Sequence, residues 1–343
     1  MRILYPFVAV LGLIVIAALG YQVGLEALFG IVFPYLAILI FIGGFINKVV
    51  GWAKSPVPFR IPTTCGQANS LPWIKQDVLD NPSTTGGVVA RMALEVLFFR
   101  SLFRNTQADV YDGPKLRYGS SKYLWLFGIL FHYSFLVILV RHLRLFTDPI
   151  PFFVKPLDYM DGFLQIGLPH LYQSDLVILG ALALLFFRRV LITNLRYISL
   201  PADYFPLFLI FSIASTGMLM RYVTRVDVVN VKQLAVGLFT FHPVIAGDLG
   251  AIFYIHLFLV CTLMVYFPFS KLMHMGGVFM SPTRNLANNS RMVRHINPWN
   301  DPNLKPHSYA AYEDEFREFM VGADIPVEKE LPAEAEAPAA EEA

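Results

Sequence analysis

Six stretches of the chain are apolar for long enough to cross a bilayer, at about 3–20, 27–47, 123–143, 173–191, 203–223 and 247–275. A helix of about 20 apolar residues spans a hydrocarbon core about 30 Å thick. The pattern therefore predicts an all-α integral membrane protein with six transmembrane helices. In the polar segment 48–122, Val88, Val89, Met92, Val96, Phe99, Leu102 and Phe103 gather near one face of a helix over 88–103, with Arg91, Glu95, Arg100 and Arg104 interspersed. That helix is too short and too charged to span, so it lies on the bilayer surface or docks a partner. The expected organisation is two N-terminal spans (1–47), a large loop (48–122), a four-helix domain (123–275), a docking tail (276–325) and a disordered acidic tail (326–343) of Ala, Glu and Pro. Arg2 ahead of the first run also fits a cleaved signal peptide, but no clear small-residue cleavage site follows and a second span comes at once.

Charge orients these spans. The 48–122 loop carries ten of the 27 Lys and Arg residues, and Arg188, Arg189 and Arg196 border the turn at 192–202. The loops at 144–172 and 224–246 hold far fewer, and Asp148, Asp158, Asp161 and Asp175 populate or border the first. The positive-inside rule then makes the large loop, the 192–202 turn and both termini cytoplasmic, in a multi-pass protein of the cell membrane. A composition of 56% hydrophobic and 15% charged residues excludes an ordinary soluble enzyme, and the net charge of +2 gives no ground for nucleic-acid binding. Cys65 and Cys261 are far apart with no CxxC, so zinc, iron–sulfur and haem c ligand sets are not encoded; Gly43-Gly44, Gly86-Gly87 and Gly276-Gly277 lack nucleotide-binding spacing.

The chemistry lies in four histidines, His132 and His142 in the third span, His256 and His274 in the sixth. Titratable side chains inside hydrocarbon are costly and rare. The spacings of 10 and 18 residues correspond to roughly 15 and 27 Å of helix rise. Eighteen residues is five turns, which places His256 and His274 on one face, and ten leaves His142 about 80° around from His132. If the two helices are antiparallel, His132 lies level with His274 near the cytoplasm and His142 level with His256 near the outer face. The unequal rises require a tilt or bend, and Pro268 is the candidate kink. Facing imidazoles are the axial ligands of a low-spin haem, so the pattern implies two haem b groups.

A single buried histidine commonly just bonds a backbone carbonyl, but four at compatible heights do not suit that reading. A proton transporter would add Asp or Glu within the spans, and one four-histidine metal site fails because the residues are spread over about 15 Å or more. His242 and His256, 14 apart, form a rival pair, yet Pro243 and Gly247 place His242 ahead of the helix. His170, His295 and His307 are also taken as non-ligands. Arg141 and Arg144 flank His142, either to contact haem propionates or to mark the span end.

The 10-and-18 spacing over about 123–275 resembles the gamma subunit of respiratory nitrate reductase. The segments PFRIPTTCGQANSLPWIK (58–75), LDNPSTTGGVVARMALEVLFFRSLFRN (79–105) and HINPWNDPNLKPHSYAAYEDEFREFM (295–320) resemble the DsrM family, the haem b subunits of the Dsr (DsrMKJOP) complexes of sulfate reducers and sulfur oxidisers. These resemblances imply an electron-transfer subunit of a quinone-linked oxidoreductase in dissimilatory sulfur metabolism. They also imply a cytoplasmic iron–sulfur partner like heterodisulfide reductase, a second membrane subunit, a further iron–sulfur protein and a multihaem cytochrome c. The cytochrome b of a heterodisulfide reductase, hydrogenase or formate dehydrogenase is the alternative within redox chemistry, and a haem-free membrane anchor the alternative outside it. The nitrate reductase resemblance further implies a quinone site beside the outer haem with a lysine in the following loop. Lys155, with Asp158, is the candidate there, and an interfacial anchor is the bland reading of Lys155. The extra N-terminal span and the large loop depart from the nitrate reductase pattern.

Overall fold

The computed structural model describes residues 2–55, 73, 75–111, 113, 115–162, 171–288 and 307–329. The chain divides into two compact units, Met1–Ser290 and Arg291–Ala343. In the first, α1 (Leu4–Gln22) and α2 (Phe33–Ala53, entered through a π turn at Leu28–Val32) form the N-terminal hairpin. There follow α3 (Thr85–Phe98), α4 (Arg100–Arg104) and an antiparallel hairpin of β1 (Thr106–Tyr111) and β2 (Lys115–Ser120) with Thr106 opposite Ser120. The membrane domain continues with α5 (Lys122–Phe146), α6 (Val154–Asp161), α7 (Gln173–Leu191), α8 (Thr193–Ile198), α9 (Pro201–Met218, prolonged by a π turn at Leu219–Thr224) and α10 (Val228–Phe239). It closes with α11 (Ala251–Tyr266), 3-10 turns at Phe267–Phe269 and Lys271–Met273, α12 (His274–Gly277) and α13 (Pro282–Asn285).

The protein is mostly helical, and five helices among the described residues are long and apolar enough to cross a membrane: Leu4–Gln22, Leu28–Ala53, Lys122–Phe146, Pro201–Thr224 and Ala251–Phe269. The sixth expected span, α7, is a 19-residue helix that stands outside this set and carries Asp175, Arg188 and Arg189. The core is built on α11, which packs on α1, α2 and α9 through buried Val10, Ala17, Phe29, Leu209, Tyr254 and Leu259. A smaller cluster of Ile178, Leu182 and Ile210 joins α7 and α9 to the phenylalanines of α5.

Polar ties fix which helix ends lie together. The Arg2 guanidinium donates to the Tyr197 carbonyl at 2.6 Å, and Lys271 pairs with Asp203 at 2.6 Å. The chain start, the α8–α9 turn and the segment after α11 therefore share one end. At the other end, Tyr21 donates to Asp248 at 2.9 Å and Lys232 pairs with Asp148 at 3.7 Å.

Two expectations for the polar segments are revised. The 88–103 helix is not continuous: Phe99 sits at φ 50 and splits α3 from α4. A break leaves helix-terminal carbonyls without intrahelical partners, and α5 supplies donors to them, with Trp125 Nε1 on the Phe98 carbonyl at 2.7 Å and the Tyr133 hydroxyl on the Leu97 carbonyl at 2.8 Å. This helix therefore packs against its own chain. In the second unit α14 (Tyr309–Gly322) is capped by Ser308, and the Glu328 and Lys329 amides fold back onto the Glu313 carboxylate at 2.8 Å each. Residues 326–329 thus belong to this unit, and the rest of the expected acidic tail, like the 56–72 part of the loop, lies outside the described residues.

At α2, a Cβ on Gly44 would lie 2.7 Å from Pro268 Cβ, far inside van der Waals contact with a rigid ring. Gly44→Val is expected to push the post-α11 turn away and to cost about 1–3 kcal/mol, the usual range for overpacking. Thermal unfolding of the detergent-solubilised protein checks this, and an unchanged melting temperature would refute the close approach.

Candidate functional site

On α5 the ten residues from His132 to His142 are uninterrupted helix, as expected. On the other arm the expectation of one helix is corrected. The helix starts at Ala251, after Gly247 and Gly250 at φ +69 and +75, and stops at Tyr266. Pro268 lies in the 3-10 turn that follows, and His274 opens α12. His256 and His274 do not share a helix face.

The structure nevertheless brings His132 and His274 together. His132 and His274 lie with ring centres 6.0 Å apart and nearly perpendicular, at 83°. His142 lies ten residues further along α5, and His256 lies in the second turn of α11. Two imidazoles on one metal, at about 2 Å per metal–nitrogen bond, would have ring centres at most about 6 Å apart, so His132 and His274 are spaced as two ligands that would hold one metal between them. Among the described residues no group of three or more His, Cys, Asp or Glu is placed to hold a bare metal ion.

Hydrogen bonding separates the two ring nitrogens of each of these four histidines. Nδ1 of His132 lies 2.7 Å from the Gly128 carbonyl, Nδ1 of His142 2.7 Å from Ile138, and Nδ1 of His274 2.9 Å from Lys271. Carbonyls only accept, so each Nδ1 carries the hydrogen and Nε2 is left as the metal-binding nitrogen. Nδ1 of His256 meets a side chain, Thr216 Oγ1, at 3.0 Å. The donor set fits haem iron. His132, His142 and His274 are exposed and His256 is half-buried. Phe99 and Phe131 stand edge-on to His132, each 5.0 Å between ring centres.

Beside His142 lies a buried ion cluster that sequence reasoning did not assemble. Arg141 is 8% exposed. Its Nη1 donates to Asp161 at 2.7 Å and to Ser174 at 3.0 Å, and lies 3.4 Å from Asp175. Its guanidinium covers the Tyr172 ring at 3.3 Å, and Arg221 lies 4.0 Å from the same ring. Tyr222 donates to Asp175 at 2.8 Å and accepts the Tyr172 amide at 3.0 Å. Arg144 pairs with Asp158, which also lies 3.4 Å from Arg141 Nε. Both arginines expected at haem propionates are thus engaged by carboxylates of the chain. Lys155 is exposed on α6, one turn from Asp158. The π turn at the end of α9 delivers Arg221 and Tyr222, and such turns recur at functional sites. Only proximity in the fold joins these residues; Asp161 and Asp175 in the sequence were visible solely as loop acids. His242 precedes α11, as expected, and bonds the Thr240 carbonyl through Nδ1 at 2.8 Å; His170 and His295 lie outside the described residues, and His307 is exposed in the second unit.

Removing one partner of a buried ion cluster leaves uncompensated charge. Arg141→Leu strands Asp161 and Asp175 and is expected to cost about 3–5 kcal/mol. Chemical denaturation in detergent micelles measures this, and a loss under about 1 kcal/mol would mean the carboxylates are solvated.

The family described as nitrate reductase gamma subunit matches residues 92–295. A relative from Archaeoglobus fulgidus described as an Hdr-like menaquinol oxidoreductase cytochrome b-like subunit is 47% identical over 282 residues, 80% of this chain and 84% of that protein. A protein of the same description from Archaeoglobus profundus is 44% identical over 277 residues, 79% of this chain and 82% of its own. The chain belongs to the nitrate reductase gamma subunit family.

Proposed function

We propose that the chain is the dihaem cytochrome b subunit of a membrane complex that moves electrons between a membrane quinone and a cytoplasmic iron–sulfur subunit. The observation that carries this reading is His132 beside His274, with Nδ1 of each of the four histidines in contact with an acceptor and Nε2 left for iron. His132 and His274 hold one haem and His142 and His256 the other. Bis-imidazole haem supplies one-electron transfer with no open coordination position. The residues of the chain fix the ring orientations and keep the two sites about 15 Å apart along α5.

Several finer assignments belong to the same proposal. α7 is the sixth span: Asp175 at its start joins the cluster at one end, and Arg189 at its finish lies 3.7 Å from Asp203 at the other. A charged helix is tolerated there because its acid is paired. The charge distribution supports a cytoplasmic end at His132 and His274, with both termini inside. The relatives' description supports a menaquinol-type quinone and a partner like heterodisulfide reductase. The soluble-segment resemblance supports a Dsr-type assembly in sulfur metabolism, with a multihaem cytochrome c, an iron–sulfur protein and a second membrane subunit. The 48–122 and 276–320 segments are the docking surface for the iron–sulfur partner. The quinone headgroup meets Lys155 near the outer pair, with Asp158 anchored by Arg144. Arg141 and Arg144 are the propionate contacts in this reading, each binding one alongside the carboxylate it already holds.

Ligand substitution tests the reading. His132→Ala and His274→Ala are expected to abolish the same haem, and His142→Ala and His256→Ala the other, each halving the reduced absorption bands of the purified complex. A wild-type protein without such bands would establish a haem-free anchor, and loss of the same haem in His132→Ala and His142→Ala would sink the pairing. Lys155→Ala is expected to slow quinol-driven haem reduction at least tenfold with both haems retained; stopped-flow rates equal to wild type would remove Lys155 from the quinone site.

A further inference from the structure

Three of the four histidines give Nδ1 to a main-chain carbonyl, which no substitution can delete; His256 alone is served by a side-chain hydroxyl. Thr216 is 7% exposed on α9, a helix that carries none of the four histidines. Its hydroxyl has one hydrogen and two lone pairs. That hydrogen is spent on the helix itself, with the Ser212 carbonyl 2.8 Å and the Ile213 carbonyl 3.0 Å from Oγ1. Only a lone pair remains for His256, 3.0 Å away. The imidazole must then be the donor. The next residue, Gly217, faces the same ring: a Cβ there would stand in ordinary contact, 3.4 Å from His256 Cε1. On its other side Thr216 lines an apolar cleft of about 650 Å³ among Phe7, Phe186, Phe208 and Phe211, where few polar groups compete for the hydroxyl.

We infer that Thr216 is a positioning residue for the outer haem: by accepting the Nδ1 hydrogen of His256 it fixes the tautomer that leaves Nε2 for iron, and it makes that ligand more electron-donating. This rests on the dihaem reading above. Outer partners of a ligating histidine typically change metal affinity 10–100-fold. The competing acceptor is the Ile213 carbonyl, which lies near the same ring.

The experiment is redox titration and low-temperature EPR of the intact complex carrying Thr216→Val, Thr216→Ala or Thr216→Ser, with haem content counted for each. In Val and Ala the midpoint potential of the His142/His256 haem is expected to move positive, because a less donating imidazole stabilises ferric iron less. Its retention on detergent washing is expected to fall at least tenfold, while the His132/His274 haem is unchanged and serves as the folding control. Thr216→Ser keeps the hydroxyl and is expected to match wild type. Unchanged potential and EPR signature of the outer haem in Val and Ala would overturn the inference and leave Ile213 as the sufficient acceptor. Loss of both haems would overturn it too, since the role is confined to His256. A wild-type complex without haem would refute the dihaem reading itself, a result separable from either.

Discussion

An imidazole inside hydrocarbon has one N–H bond, and the fold must give it an acceptor or leave a buried donor unmet. α5 answers locally: His132 and His142 each turn back four residues along their own helix to a carbonyl that has a second lone pair to offer. His274 bonds three residues back, to Lys271 at a 3-10 turn where carbonyls have no helical partner. His256 depends instead on a neighbouring helix. Satisfying Nδ1 also decides which nitrogen is left over, so one requirement of the membrane setting produces the polarity that metal binding needs.

The second organising feature is a set of charges paired across helices at the two ends of the bundle. At the His142 end, Arg141 of α5 meets Asp158 and Asp161 of α6 and Asp175 of α7. At the His274 end, Asp203 of α9 receives Lys271 and lies near Arg189 of α7. Buried ion pairs contribute little net stability against an apolar replacement. Within lipid there is also little hydrophobic force to choose one helix register over another. Paired charges at both ends exclude the registers in which they would be separated. Lys271 links the two features, since its ammonium is held by Asp203 and its carbonyl accepts from His274.

Much of this was legible in the sequence, for identifiable reasons. The spacing of His132 and His142 could be read because α5 is regular helix for 25 residues. The approach of His132 to His274 was legible because it required only heights and direction. Pro268 announced an interruption but not its form, and His274 fell outside the helix assigned to it. The split at Phe99 was hidden because a bulky residue at positive φ has no sequence signature. The β1–β2 hairpin had one, the Asp112-Gly113 dipeptide between short alternating stretches, in a segment whose charge reads as loop. Thr216 could have been noticed as a hydroxyl beside a glycine in an apolar span. The Arg141 cluster could not, because its members come from α5, α6, the residues before α7, α7 itself and the π turn after α9.

The break after α11 resolves a discrepancy that regular helices would have left. From His132 to His142 is a rise of about 15 Å, and eighteen helical residues from His256 would climb about 27 Å and carry His274 past its partner. The helix in fact continues only ten residues beyond His256, to Tyr266, matching the interval on α5. The remaining residues form 3-10 turns in which Ser270 is extended, at φ −121 and ψ 177, so they need not add their length along the bundle. That path is held from both sides, by Gly44 of α2 letting Pro268 approach and by Asp203 taking Lys271. Level pairing of His132 with His274 is thus obtained by stopping one helix early, rather than by tilting it. The cost is that this arm depends on tertiary contacts that α5 does not need.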